Sequence, residues 1–520
     1  MLLSKTKYGV ILYKLDSFYL LTGKLKSQKL SGGRKMTLFL IGLAILIAGY
    51  FTYGKLVEKI FGPDDRPTPA IAMQDGVDYV PLPHWKNMLI QLLNIAGIGP
   101  VIGVIIGIKF GEIVFLLIPI GNIIGGAVHD MAAGMMSLRK NGANLPKLIE
   151  DNCGKVFGNA FSIFMLICLL LVVAVFINVP SNLIDDLVSN AAGSDPLTNK
   201  FFWIAVAAVF VYYIVATMFP VDKIIGNCYP IFGALLLIGT GAIFVKLMIA
   251  GFQTPALLSE SAAFKAGMLK APVLPMLFIT IACGIISGFH ATQSPIIART
   301  MRTERQARSS FYGMMVLEGF IAMVWAAAAL AVFNLVPETM KLAAPVALGR
   351  IVNHFLGSWV GGVTVISVII LAITSGDTAL RSCRLSLSEK IKIDQKPLRN
   401  RFLICVPMIV IVSLLLWWSN KDAKSFNMLW HYFAWANQVI AVCTLLAATV
   451  YLSSLKKPAF ITLIPGVFMF FITCTYLLSS AKLGAPVGLP VPLNISYVIA
   501  GILACGAGFW AVRRGKKMNN

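Results

Sequence analysis

"LLNIAGIGPVIGVIIG", residues 92–107, is apolar enough to lie in lipid yet poorly suited to one continuous helix. Its middle, Asn94-Ile95-Ala96-Gly97-Ile98-Gly99-Pro100, places a polar amide, two glycines and a proline inside a membrane-length run. Glycine weakens a helix interior by about 1 kcal/mol, and proline removes a backbone hydrogen bond. Two readings are open. Gly99, Gly103 and Gly107 form a small-residue stripe that lets helices pack closely. Alternatively, the chain unwinds around Gly97–Pro100 and exposes backbone to a ligand.

The surroundings of this stretch set the class. The 520 residues are 58% hydrophobic and only 13% charged. A span needs about 20 mostly apolar residues to cross about 30 Å of hydrocarbon. That rule predicts thirteen spans, near 37–57, 88–108, 112–136, 158–178, 201–220, 228–251, 273–293, 311–334, 356–380, 402–418, 429–452, 459–479 and 493–512. Almost nothing remains for a soluble domain. The expected fold is an all-α polytopic membrane protein.

The net charge of +22 is not a nucleic-acid signal, because basic residues cluster in short loops between spans. Arg299, Arg302, Arg305 and Arg308 share one loop, Arg381 to Arg401 another, and Arg513, Arg514, Lys516 and Lys517 form the tail. Acidic or neutral loops such as 179–200 alternate with them. Retention of basic loops inside places 137–157, 294–310, 381–401, 453–458 and the C-terminus in the cytoplasm. Traced backwards, this topology starts residue 37 outside, although residues 1–36 carry eight Lys and Arg against one Asp. The reconciling expectation is that Met36 is the functional start and 1–35 a non-native extension. The alternative is one miscounted early span.

None of the nine cysteines shows Cys-x-x-Cys spacing, so neither a disulfide framework nor a metal site is expected. No cofactor is expected either. The lack of a Walker motif points to a gradient rather than ATP as the energy source.

A second interrupted span, "PVLPMLFITIACGIISGFHATQSP", begins five spans after the first and breaks at Gly284 and at Ser287-Gly288-Phe289-His290. Two broken spans of opposite direction, each opening a five-span block, describe an inverted repeat. The blocks are 88–251 and 273–452. Before them come a first helix and cytoplasmic loop (36–87), between them an external connector (252–272), and after them C-terminal helices and the basic tail (453–520). Discontinuous helices in such repeats bring helix ends and free carbonyls to a midplane site. The candidate substrate residues are therefore Asn94, Gly97, Gly99, Pro100, Gly288 and His290.

Several of these stretches resemble the carbon starvation protein A (CstA) family. "RPTPAIAMQDGVDYVPLPHW" at 66–85, "IAGIGPVIG" at 95–103 and "GGAVHDMAAGMMSLRKNGANL" at 125–145 are similar to its motifs. So are "ACGIISGFHATQSP" at 282–295 and "WANQ" at 435–438, over a resemblance running from about 60 to 510. It implies a bacterial inner-membrane transporter related to the amino-acid/polyamine/organocation superfamily. The implied substrates are peptides or pyruvate, with protons as the expected coupling ion ahead of sodium. Residues 1–35 match none of the family's pattern.

Ionisable groups at membrane depth are functional candidates by default. Glu318, two turns into its span, either carries a proton or pairs with a loop arginine such as Arg308. His129 and Asp130, expected at the cytoplasmic end of 112–136, either form a gate or anchor the helix end beside Arg139. Asp377 serves proton coupling or pairs with Arg381, one turn on. In the related superfamily, hydroxyls at the place of Thr374 and Ser375 join carbonyls of the first broken helix around sodium, although Ser and Thr also bond their own helix carbonyls. Two other classes remain. A nutrient sensor would need a partner kinase for its output, and a haem enzyme would need axial ligands such as His129 and His290.

Overall fold

The computed structural model describes residues 36–76, 78–189, 200–218, 221–259, 272–342, 344–395, 397–421, 423–483 and 488–519. The expected N-terminal extension 1–35, the loop 190–199 and most of the connector 252–272 lie outside the described residues. Among the described residues the chain is helical and contains no β-strand.

The first half holds α1 (Thr37–Phe51), α2 (Tyr53–Phe61), α3 (His84–Ile95), α4 (Gly99–Phe110), α5 (Val114–Leu138), α6 (Leu145–Cys153), α7 (Lys155–Ser189), α8 (Lys200–Met218) and α9 (Val221–Gln253). After three short pieces, Val273–Leu277, Phe278–Thr280 and Ala282–Ile285, come α10 (Gly288–Ala298), α11 (Met314–Leu335) and α12 (Ala344–Ile391). The remaining helices are α13 (Leu398–Ser419), α14 (Ala423–Ser454), α15 (Phe460–Ser479) and α16 (Leu493–Asn519).

Eleven helices among the described residues are long and apolar enough to cross a membrane, and the bent pair α3–α4 makes twelve. The count of thirteen is not reached among them, because 273–293, expected to be interrupted, holds no single helix of spanning length. Pro275, Gly284 and the polar run beginning at Ser287 interrupt it, and Ser287 itself is extended at φ −133°, ψ 124°. Long helices surround this interrupted pair. α7 lies along α12, α14 to α16 pack together, and α10 is held between α5 and α14.

The opening stretch is broken as its composition predicts. Ala96, at φ −75°, ψ 58°, leaves helical geometry, and the axes of α3 and α4 differ by 53°. Pro100 enters the first turn of the new helix, where its missing N–H breaks no bond. The glycine stripe beyond it packs. A Cβ on Gly103 would lie 2.9 Å from the Thr280 carbonyl oxygen, and one on Gly107 would strike the Ile281 side chain. α4 therefore rests directly on the second interrupted span.

Candidate functional site

Unwound backbone at membrane depth must find hydrogen-bond partners inside the protein. At the second break those partners are amide side chains from neighbouring helices. Gln438 Nε2 donates to Ile286 O at 2.9 Å, and Asn122 Nδ2 donates to Gly284 O at 3.2 Å and Met315 O at 2.9 Å. Asn437 binds both sides of the restart: its Nδ2 donates to Ser287 Oγ at 2.8 Å, and its Oδ1 accepts from Phe289 N at 2.7 Å. At the first break, Ser375 Oγ of α12 donates to Leu93 O at 3.3 Å.

The two breaks meet at Phe176 of α7. A Cβ on Gly97 would sit 3.2 Å from Phe176 Cζ and 3.3 Å from Ser375 Oγ. The Phe176 ring also meets Phe289, just past the second break, edge-on at 6.1 Å between centroids. At their other ends α3 and α10 are joined by Asn87 Nδ2 donating to Thr300 O at 2.9 Å. Tyr213 fixes the aromatic from behind by donating to Phe176 O at 2.9 Å.

Beside the second break four ionisable groups from three helices form a chain. The Asp130 carboxylate of α5 meets His129 Nδ1 at 2.8 Å and His290 Nδ1 at 3.1 Å. The other face of the His290 ring looks at α11, with Nε2 3.6 Å from Glu318 Oε2. All four side chains are buried. A His290 that donates through Nδ1 to Asp130 keeps its Nε2 lone pair toward Glu318. In that tautomer the ring stands between the Asp130 and Glu318 carboxyl groups. Glu318 has no hydrogen-bond partner within the described residues, so its carboxyl is unengaged except by that ring.

This arrangement revises several expectations. His129 and Asp130 are not at a helix end: α5 continues nine residues past His129, about 14 Å at 1.5 Å per residue. Arg139 does not anchor them; it pairs with Glu304 at 3.0 Å. Arg308 does not reach Glu318, because it pairs with Glu58 at 2.7 Å. Gly288 faces a helix rather than a cavity. A Cβ there would collide with the Asn437 carbonyl and the Ala441 nitrogen, so its lack of a side chain lets α10 seat against α14. Gly99 and Pro100 lie in the restarted helix, one step beyond the unwound residues.

On α12, Thr374 Oγ1 donates to its own helix carbonyl at Leu371, 2.9 Å away, whereas Ser375 reaches across to α3. Asp377 faces Arg381 at 3.8 Å. Among the described residues no group of three or more His, Cys, Asp or Glu is arranged to hold a metal ion.

Sequence reasoning missed Gln91. It lies one turn before Asn94 on the same helix face. Both amides are completely buried, and all four of their polar atoms lack a partner among the described residues. The i, i+3 spacing of two amides in an apolar helix was the available signal. Asn437 and Gln438 were visible only as part of a familiar motif, and nothing local marked Phe176.

Residues 36–519 thus form a multi-pass helical membrane protein with two interrupted spans at its centre. Its fold is that of known membrane transporters. MhsT in complex with L-phenylalanine superposes with a TM-score of 0.56 at 13% identity, over 83% of this chain and 99% of that one. A mutant manganese transporter of Eremococcus coleocola gives 0.52 at 12% identity, over 86% and 99%. The chain belongs to the carbon starvation protein CstA family, whose model matches residues 34–206, 197–354 and 339–476.

A Haemophilus influenzae relative, described as an uncharacterized membrane protein, is 40% identical over 346 residues, 58% of this chain and 92% of that protein. The peptide transporter CstA of Bacillus subtilis is 28% identical over 56% of this chain and 58% of its own length. The pyruvate/proton symporter BtsT of Escherichia coli is 24% identical over 54% and 47%. The chain therefore spans about half the length of these named transporters.

Proposed function

We propose that this protein is a secondary transporter of the bacterial cytoplasmic membrane that imports a peptide or a small carboxylate such as pyruvate with protons. The carrying observation is the buried chain His129–Asp130–His290–Glu318, which abuts the broken backbone of the second interrupted span. In this reading Glu318 and His290 pass the coupled proton, Asp130 holds the charged ring, and His129 orients Asp130. The substrate lies between the breaks, against Phe176 and Gly97, with the free amides of Gln91 and Asn94 supplying donors and acceptors. Because His290 immediately follows Phe289, ring movement at the proton site is mechanically tied to the aromatic beside the substrate.

The blocks 88–251 and 273–452 act as inverted repeats, and the basic loops and C-terminus face the cytoplasm. The transporter names of the relatives and the shared fold support this reading. A sodium-coupled version draws support from Ser375 beside Leu93 O, since hydroxyl and carbonyl oxygens suit a hard cation. Thr374, bonded to its own helix, adds less to it.

The test is uptake into proteoliposomes of labelled pyruvate and of a labelled dipeptide, each with an imposed proton gradient and each with an imposed sodium gradient. Accumulation of either solute under the proton gradient supports the proposal. Sodium-only accumulation replaces the coupling ion, and no accumulation of either solute refutes the reading.

A further inference from the structure

One buried cation is unused by this mechanism. Arg384 of α12 is only 4% exposed. Its Nη1 donates to Gln395 Oε1 at 2.5 Å, its Nε has no partner, and no described carboxylate forms an ion pair with it. Two further arginines lie near it. Arg381, one turn earlier, is buried and faces Asp377 at 3.8 Å. Arg401 of α13 donates through Nε to the main-chain oxygen of the same Gln395 at 2.6 Å.

A guanidinium withdrawn from water without a counter-ion is strongly disfavoured. Gln395 supplies one neutral acceptor and cannot balance the charge. Arginine offers a planar fork of donors that matches a carboxylate or phosphate, and the Nε edge of Arg384 is the unengaged part of that fork. The depth is also informative. Arg384 lies seven residues from the end of α12 at Ile391, about 10 Å along the helix. The hairpin that follows carries Lys392, Arg399 and Arg401, the composition of a loop at a membrane surface, where lipid phosphates and soluble anions are both found.

We propose that Arg384, oriented by Gln395, is a binding site for a phosphate oxyanion at the α12–α13 hairpin. The phosphate comes either from an anionic lipid headgroup or from free phosphate; the chemistry of the contact is the same. The site is separate from the proton chain, and it stands or falls independently of the transport reading.

The test uses the full chain, delipidated in detergent, with its thermal midpoint followed during titration with inorganic phosphate and, separately, with phosphatidylglycerol or phosphatidylcholine in mixed micelles. A ligand that binds only the folded state raises Tm in a saturable manner. Wild type is expected to respond, and Arg384→Gln to lose the response. Arg302→Gln, at an exposed arginine, is expected to respond as wild type does. A response to phosphatidylglycerol but not to inorganic phosphate assigns a lipid headgroup, and a response to inorganic phosphate assigns a free anion. If Arg384→Gln does not fold, Arg384→Lys replaces it: charge is kept and the fork lost, so half-saturation is expected to move at least about threefold higher. No response in wild type, or a response in either Arg384 variant equal to wild type, overturns the site.

Discussion

Asn437 is the residue on which the geometry of the second break most directly depends, so its removal has a calculable effect. Its side chain is 1% exposed and makes two hydrogen bonds across the unwound segment, at 2.7 Å to Phe289 N and 2.8 Å to Ser287 Oγ. Asn437→Leu keeps the branched outline of the side chain, though bulkier, and removes both. The Ser287 hydroxyl can rotate toward another acceptor, but the Phe289 N–H is fixed by the backbone and stays buried. An unsatisfied buried donor costs about 1–3 kcal/mol, with about 1 kcal/mol more for the second bond. The expected loss is therefore about 3 kcal/mol, concentrated at the restart of α10. Asn437→Asp, assayed at a pH where its carboxyl is protonated and no charge is buried, preserves the acceptor for Phe289 N, so about 1 kcal/mol is expected. Thermal unfolding in detergent reads the stability, and solute uptake reads the site, because a loosened restart displaces both Phe289 and His290. The order wild type, Asp, Leu is expected in both assays. Asn437→Leu matching wild type in Tm and uptake refutes the assignment of Asn437 as the partner of the broken backbone.

At Gly376 an added Cβ collides with the Tyr213 hydroxyl, so Gly376→Ala is expected to destabilise by about 1–3 kcal/mol through overpacking. Tyr213→Leu withdraws the hydroxyl and the ring carbons that would lie within 3 Å, so in a double-mutant cycle followed by melting it should shrink the cost of Gly376→Ala; an unchanged cost contradicts the contact. Gly97→Leu drives a side chain into Phe176 and Ser375, and is expected to abolish uptake while the protein remains in the membrane, as shown by immunoblotting of membrane fractions. A reporter fused after Lys390 should read cytoplasmic and one after Ser189 external, and the reverse pattern overturns the orientation.

Local composition made the spans and the first break legible. Apolar runs of span length need no tertiary information, and Gly97 to Pro100 favour a break, with the proline at the start of a new helix rather than inside one. The second break was legible as polar and glycine residues, but its consequence for the span count was not. A run apolar enough to cross still fails to make one helix when neighbouring amides stabilise its unwound form. The buried chain of ionisable groups was present in the sequence as isolated candidates. His129 and Asp130 lie 160 positions from His290, and their convergence depends on α5 packing against α10, which no periodicity records. Gly288 was misread for the same reason: a glycine next to a break suggests ligand access, yet here it admits α14. The alternative pairings offered for Arg308 and Arg139 fall away, because a sequence gives charges without the loops that bring Glu58 and Glu304 to them.

The central claim is that Glu318 and His290 carry the coupled proton, and the most direct measurement is accumulation against exchange in Glu318→Gln. Glutamine keeps the shape of the side chain but cannot titrate. Proteoliposomes holding this variant are given labelled solute under an imposed proton gradient, and in parallel under counterflow with equal solute and no gradient. Loss of gradient-driven accumulation with counterflow preserved is the predicted result, since binding and rocking need not move a proton. Full proton-driven accumulation in Glu318→Gln contradicts the account.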